Sequence, residues 1–128
     1  MNIEFNVKGT EKQIAWCRDI LKDFNHFFET IEERDIFKKM MSDKESQFYD
    51  NYSRNYDILK NVIQMINNEN ASYIIENRFY FEKNKYDADN EKYDIKKYEE
   101  IIEKYIEEKE IKRYSCRFLS TIRNNIYL

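Results

Sequence analysis

Apolar residues recur along this chain at helical spacing. Ile14, Cys17, Leu21, Phe24, Phe28 and Ile31 follow one another in alternating steps of three and four, which draws one continuous stripe along a helix. Trp16, Ile20 and Phe27 flank that stripe, so the apolar face is wide enough to be packed by two neighbours. The element opens at Thr10. Thr10-Glu11-Lys12-Gln13 has the form of a capping box, in which the threonine hydroxyl accepts from the backbone of Gln13 and the glutamine side chain reaches back. Apolar residues give way to charge near Glu32 to Asp35, which predicts a bend in a helix that runs on toward Met41.

Ser42-Asp43-Lys44-Glu45 reads as a second capping box, ahead of a stripe formed by Phe48, Tyr52, Leu59, Val62 and Ile66. Tyr49, Tyr56, Ile58 and Ile63 broaden its face, and the helix ends near Asn67-Asn68. Asn68 or Asn70 caps a short third helix over residues 71 to 78, after which Phe79 and Phe81 alternate as in a strand. Residues 83 to 93 are polar and aperiodic and form the best loop candidate. A fourth helix begins near Asp94 and carries Ile95, Tyr98, Ile102 and Tyr105, its outer face a solvated array of Glu and Lys. Tyr114, Phe118, Ile122 and Ile126 mark a last helix, joined to the fourth or broken from it near Lys109, with a strand over residues 113 to 118 as the alternative. At the start of the chain Ile3, Phe5 and Val7 alternate with polar residues, as in a short strand, and Lys8-Gly9 makes a turn. The pattern as a whole predicts a mainly α protein, a single compact helical domain spanning residues 1–128, with four to five helices and a short N-terminal strand as an optional addition.

Composition narrows the choice further. The chain has no proline and one glycine, which removes sandwiches, barrels and doubly wound folds with their many tight turns. Charged residues reach 37%, above the usual quarter. Aromatic residues at 16% nonetheless mark a folded chain rather than a disordered one. Cys17 and Cys116 lie far apart, and the N-terminus carries no signal-peptide pattern, so the expectation is reduced cysteines in a cytoplasmic protein. No apolar run approaches the roughly 20 residues of a membrane span. The wide, tyrosine-rich stripe suits a homodimer interface as well as a core.

Candidate chemistry is sparse. His26 is the one histidine, and on a straight helix it points away from Cys17, nine residues earlier. Two distant cysteines and one histidine make no zinc pattern. Residues 87 to 94, "DADNEKYD", lack the glycine and the bidentate glutamate of a calcium loop. One glycine cannot build a phosphate-binding fingerprint. No metal, cofactor or catalytic residue is expected, and the chain reads as no enzyme.

Charge is uneven. The last seventeen residues hold Lys112, Arg113, Arg117 and Arg123 and no acid, so they carry +4 and residues 1–111 carry −7, for the net charge of −3. On a continuous helix Arg113, Arg117 and Arg123 share a side beside Tyr114 and Phe118, a combination suited to phosphates or stacked bases. The same cations also complement a helix C-terminus and acidic neighbours. The acidic body admits the opposite role, imitation of a nucleic-acid backbone in a partner's basic groove.

Two segments carry a resemblance. "GTEKQIAWCRDI" at 9–20 and "NASYIIENR" at 70–78 resemble, in order and separation, two motifs of small bacterial and phage proteins of mobile elements, of the forms Gly-(Ser/Thr)-Glu-Lys-Gln-Ile-Ala-Trp-Ala-Glu and Ala-Ser-x-Trp-Ile-Asp-Asn-Arg. Here Cys17 and Arg18 replace Ala-Glu, Ile74 replaces the tryptophan and Glu76 the aspartate. The resemblance covers about a sixth of the chain. It implies a small accessory protein that works by binding a host protein or ribonucleoprotein complex, as inhibitors of host defence such as anti-CRISPR proteins do. It supplies no catalytic residues. If the two segments meet, Arg78 is placed to stack on Trp16 or to pair with Glu11, as a structural clasp or as part of a binding site. The runner-up function is nucleic-acid or nucleotide binding through Arg113, Arg117 and Arg123.

Overall fold

The computed structural model describes residues 1–84, 90–115 and 117–126. Among these, the chain forms seven α-helices, one 3-10 turn and no strand. They are α1 (Glu11–Glu29), the 3-10 turn (Ile31–Glu33), α2 (Asp35–Ser42), α3 (Tyr49–Ile66), α4 (Ala71–Glu76), α5 (Arg78–Phe81), α6 (Glu91–Glu108) and α7 (Arg117–Asn124). The mainly helical reading holds, but four to five helices is too few. The bend near Glu32 is a full break with its own 3-10 turn, and the short third helix divides at Asn77.

α1 forms as its sequence dictates. Gln13 N donates to Thr10 Oγ1 at 3.2 Å, and Thr10 N donates to Gln13 Oε1 at 3.0 Å. Its buried face, Cys17, Ile20, Leu21, Phe24, Phe27 and Phe28, is the centre of the core. Phe24 meets Phe28, Phe81 and Tyr98 edge to face at 4.9–5.1 Å between ring centroids, the arrangement the ring quadrupoles favour. α3 contributes Leu59, Val62, Ile63 and Ile66, and α6 contributes Ile95, Ile101, Ile102 and Tyr105.

The N-terminal alternation does not produce a strand. Asn6 N donates to Asn67 O, Lys8 N to Glu69 O and Ala71 N to Lys8 O, and the pairing amounts to one parallel bridge between Lys8 and Asn70. The segment facing it is the two-turn link between α3 and α4, too short to continue a ladder. Gly9 does not adopt a positive φ. Its role is space: a Cβ there would lie 2.8 Å from Gln13 Oε1 and 2.9 Å from Ala71 Cβ.

Three other local expectations are corrected. Ser42 ends α2 rather than capping α3, and its hydroxyl donates to Lys39 O at 3.0 Å. Phe79 and Phe81 lie on a helix, not a strand, so they diverge: Phe81 is fully buried and Phe79 is 59% exposed. The outer face of α6 is not wholly solvated, for Asp94, Lys97 and Glu99 are all buried.

Candidate functional site

The two motif segments pack against each other. Below the Lys8–Asn70 bridge, the fully buried Cys17 Sγ donates to Ala71 O at 3.5 Å. Burial raises the Cys17 thiol above its ordinary value, which makes it a packed thiol rather than a nucleophile. One residue earlier on α1, Trp16 points outward and is 47% exposed. The Arg78 guanidinium lies over its ring, 5.6 Å from the centroid, and Arg78 Nη1 donates to Ile75 O at 2.8 Å. No ion pair joins Arg78 to Glu11 among the described residues. Arg78 therefore takes the first of its two expected partners, and the rest of its guanidinium edge is left open.

From Arg78 the exposed surface continues. Phe79 is the next residue, and Tyr93 at the start of α6 is 41% exposed. Both rings face one ammonium: Lys97 Nζ lies 5.1 Å from the Phe79 centroid and 5.5 Å from that of Tyr93. Trp16, Arg78, Phe79 and Tyr93 thus form a string of exposed aromatic and cationic groups across α1, α5 and α6. Trp, Tyr and Arg are the side chains that most often dominate binding energy at protein interfaces.

Lys97 is the post behind this string. It is buried, donates to Phe79 O at 3.1 Å and to Glu82 O, and pairs with the equally buried Asp94 at 3.6 Å. Asp94 in turn accepts from Asn84 N at 3.0 Å. The pair caps the carbonyl end of α5 and ties the chain beyond it to α6. Both charges have several partners, which is what a buried pair requires. Sequence periodicity missed this group because it registers polarity and not the presence of a partner.

The C-terminal arginines do not converge. Arg113 precedes α7 and has φ 69°, in the left-handed region, so the helical-face relation to Arg117 does not exist. Arg117 opens α7 with its guanidinium 5.8 Å from the Phe48 ring centroid. Arg123, six residues on and so about 120° around the helix, donates to Glu99 Oε2 at 2.5 Å. Glu99 is buried, and desolvation lifts its carboxyl above the ordinary 4.5 although Arg123 pulls it down. The break is fixed by the fully buried Asn55, whose Oδ1 accepts from Ser115 N at 3.1 Å.

His26 lies in a cleft of about 370 Å³. One wall is the end of α1, with Asp23, His26 and Thr30, and the other is the start of α6, with Glu91 and Asp94. Arg34 and Lys83 close the ends, and the rings of Phe27 and Tyr98 form the floor. Arg34 pairs with Glu91 and sits 5.0 Å over the Phe27 ring. The Tyr98 phenol is held above its ordinary value by burial first and then by Asp94, Asp23 and Glu91. No local motif announces this cleft, because its walls come from residues 23 to 98.

Among the described residues, no group of three or more His, Cys, Asp or Glu is arranged to hold a metal. Part of the 87–94 segment, and Cys116, lie outside the described residues. No helix among the described residues is long and apolar enough to cross a membrane. Comparison with known protein families, curated proteins and solved structures finds no match.

Proposed function

We propose that this chain is a small non-catalytic macromolecule-binding protein that acts by binding another protein, as inhibitors of host defence carried by phages and mobile elements do. The observation that carries protein binding is the string Trp16–Arg78–Phe79–Tyr93. Trp16 and Phe79 are large apolar rings left 47% and 59% exposed, and Arg78 is held by its stacking on Trp16 with part of its donor edge open. A pre-oriented guanidinium loses little freedom when it meets a partner carboxylate. The role against host defence, of the anti-CRISPR kind, rests on the resemblance of residues 9–20 and 70–78 to mobile-element proteins. Its support from the structure is that these two segments build one face.

The partner is a host protein or a ribonucleoprotein complex. Nucleic-acid binding through the C-terminal arginines is less well supported, because Arg123 is engaged by Glu99 and Arg113 and Arg117 share no helical face. The test is affinity capture from host lysate with the wild type and with Trp16→Ala/Phe79→Ala, proteins and nucleic acids being identified in each. A protein retained by the wild type and lost with the double variant supports the reading. Retention of nucleic acid alone, abolished by salt and by Arg113→Ala/Arg117→Ala, refutes it.

A further inference from the structure

One ion pair on α6 joins the His26 cleft to the proposed binding face. Asp94 lies on the cleft wall beside Glu91. Lys97, three residues on, lies behind the exposed rings of Phe79 and Tyr93. The two meet at 3.6 Å, with neither side chain more than 6% exposed. Lys97 makes no other ion pair among the described residues. Its remaining contacts are Phe79 O, Glu82 O and the two rings. The charge on Asp94 is therefore what keeps an ammonium buried here, because an unmatched cation in such a place is strongly unfavourable.

Lys97 in turn decides how Phe79 stands. The Phe79 ring is mostly exposed, and it meets the Tyr80 ring and the Lys97 ammonium. The Phe79 carbonyl accepts from that same ammonium, and Tyr93 approaches it from α6. One cation thus sets the backbone of α5 and two exposed rings, one from each helix. Rings held in this way by their quadrupoles lose less freedom when a partner docks. The other half of the face has different anchors, for Trp16 belongs to α1 and Arg78 donates to Ile75 O on α4.

On the protein-binding reading above, we propose that Asp94 and Lys97 are positioning residues of the binding face. The carboxylate on the cleft side fixes the ammonium, and the ammonium fixes Phe79 and Tyr93 for the partner. The face then has two parts: Trp16–Arg78, anchored on α1 and α4, and Phe79–Tyr93, governed from the cleft side of α6. Glu91 supplies the comparison. It carries the same charge on the same wall, but it pairs with Arg34 and forms no ion pair with Lys97 among the described residues.

The test is NMR of the full chain without a partner. In the wild type, the Lys97 ε protons should give nuclear Overhauser effects to both the Phe79 and the Tyr93 ring. Asp94→Asn should displace both ring signals and speed amide exchange in α5 by about tenfold or more, while Trp16 emission stays at its wild-type position. Glu91→Gln should leave all three unchanged. Far-UV circular dichroism reports whether each variant folds. If Asp94→Asn does not, Asp94→Glu and Glu91→Asp, which keep the charges and shift them by one methylene, carry the same comparison. Absence of the wild-type effects, wild-type ring signals in the folded Asp94 variant, an equal response to the Glu91 variant, or a Trp16 shift alongside the rings overturns the proposal. If the rings respond as expected and no partner is ever captured, the protein-binding reading fails and the positioning by Asp94 and Lys97 stands.

Discussion

Arg78 lies over the indole of Trp16 at 5.6 Å and ties the junction of α4 and α5 to the first turns of α1. Trp16 is the only tryptophan in the chain, so tryptophan emission reports the surroundings of this one ring. Replacement of Arg78 by Ala is expected to alter the intensity and position of Trp16 emission. Stability should fall by only about 0.5–1 kcal/mol, the scale of an exposed cation–π contact. Parallel emission spectra and urea titrations check this. A loss of several kcal/mol would make the contact a principal support of the fold rather than part of an open face.

Gly9 and Thr10 hold the opening of α1 in different ways. Thr10→Ala removes the acceptor for Gln13 N and should cost about 1 kcal/mol. Gly9→Ala places a methyl group against Gln13 Oε1 and Ala71 Cβ, and should cost about 1–3 kcal/mol by overpacking. The glutamine can swing away only by giving up its bond to Thr10 N. Denaturant unfolding of the two single variants and of the pair should therefore show costs that do not add.

The Asp94–Lys97 pair makes a sharper prediction. Lys97→Met removes the donor to Phe79 O and Glu82 O and leaves Asp94 buried beside Asn84 N. The expected cost is about 3–5 kcal/mol, that of a broken buried pair. The added change Asp94→Asn relieves the stranded charge, so the double variant should be more stable than Lys97→Met alone. Urea midpoints at neutral pH measure both.

Glu99 governs a pH dependence. Burial raises its folded pKa above the ordinary 4.5, Arg123 opposing the shift without cancelling it. The folded state then binds more protons than the unfolded state above that pH. The contribution of Glu99 is fully favourable below the unfolded carboxyl value and is lost as pH rises through the folded one. Glu99→Gln keeps an oxygen for Arg123 Nε and removes the titration. The stability of the wild type relative to Glu99→Gln should therefore decline from about pH 4.5 upward and level off once Glu99 is ionised. Matched unfolding series across that range test the sign, and a wild type that gains on the variant with rising pH would reverse it.

What the sequence revealed and concealed divides along physical lines. The start of α1 was legible because Thr10 and Gln13 act within one turn, and its stripe because Cys17, Leu21, Phe24 and Phe28 repeat on a single helix. Ser42 misled because a cap motif is local and fits the end of α2 as well as a start of α3. The break after α6 near Lys109 was one of two readings the sequence offered, but the shared arginine face was not real, because periodicity counts residues and cannot see that Arg113 turns through the left-handed region. Lys97 and Glu99 were hidden because a charge at a helical position looks the same whether its partner is water, Asp94 or Arg123. The meeting of Trp16 with Arg78 was legible only through the paired motifs, while the cleft joining Asp23 to Lys83 left no sign along the chain.

The central claim is that Trp16, Arg78 and Phe79 form the surface through which this protein binds a protein partner. The most direct measurement is calorimetric or surface-based binding of the captured partner to purified wild type and to Trp16→Ala, Arg78→Ala, Phe79→Ala and Arg117→Ala. A loss of about 2 kcal/mol or more for at least one of the first three, with Arg117→Ala close to wild type, is the predicted result. Unchanged affinity in all three, or a loss confined to Arg117→Ala, would contradict it.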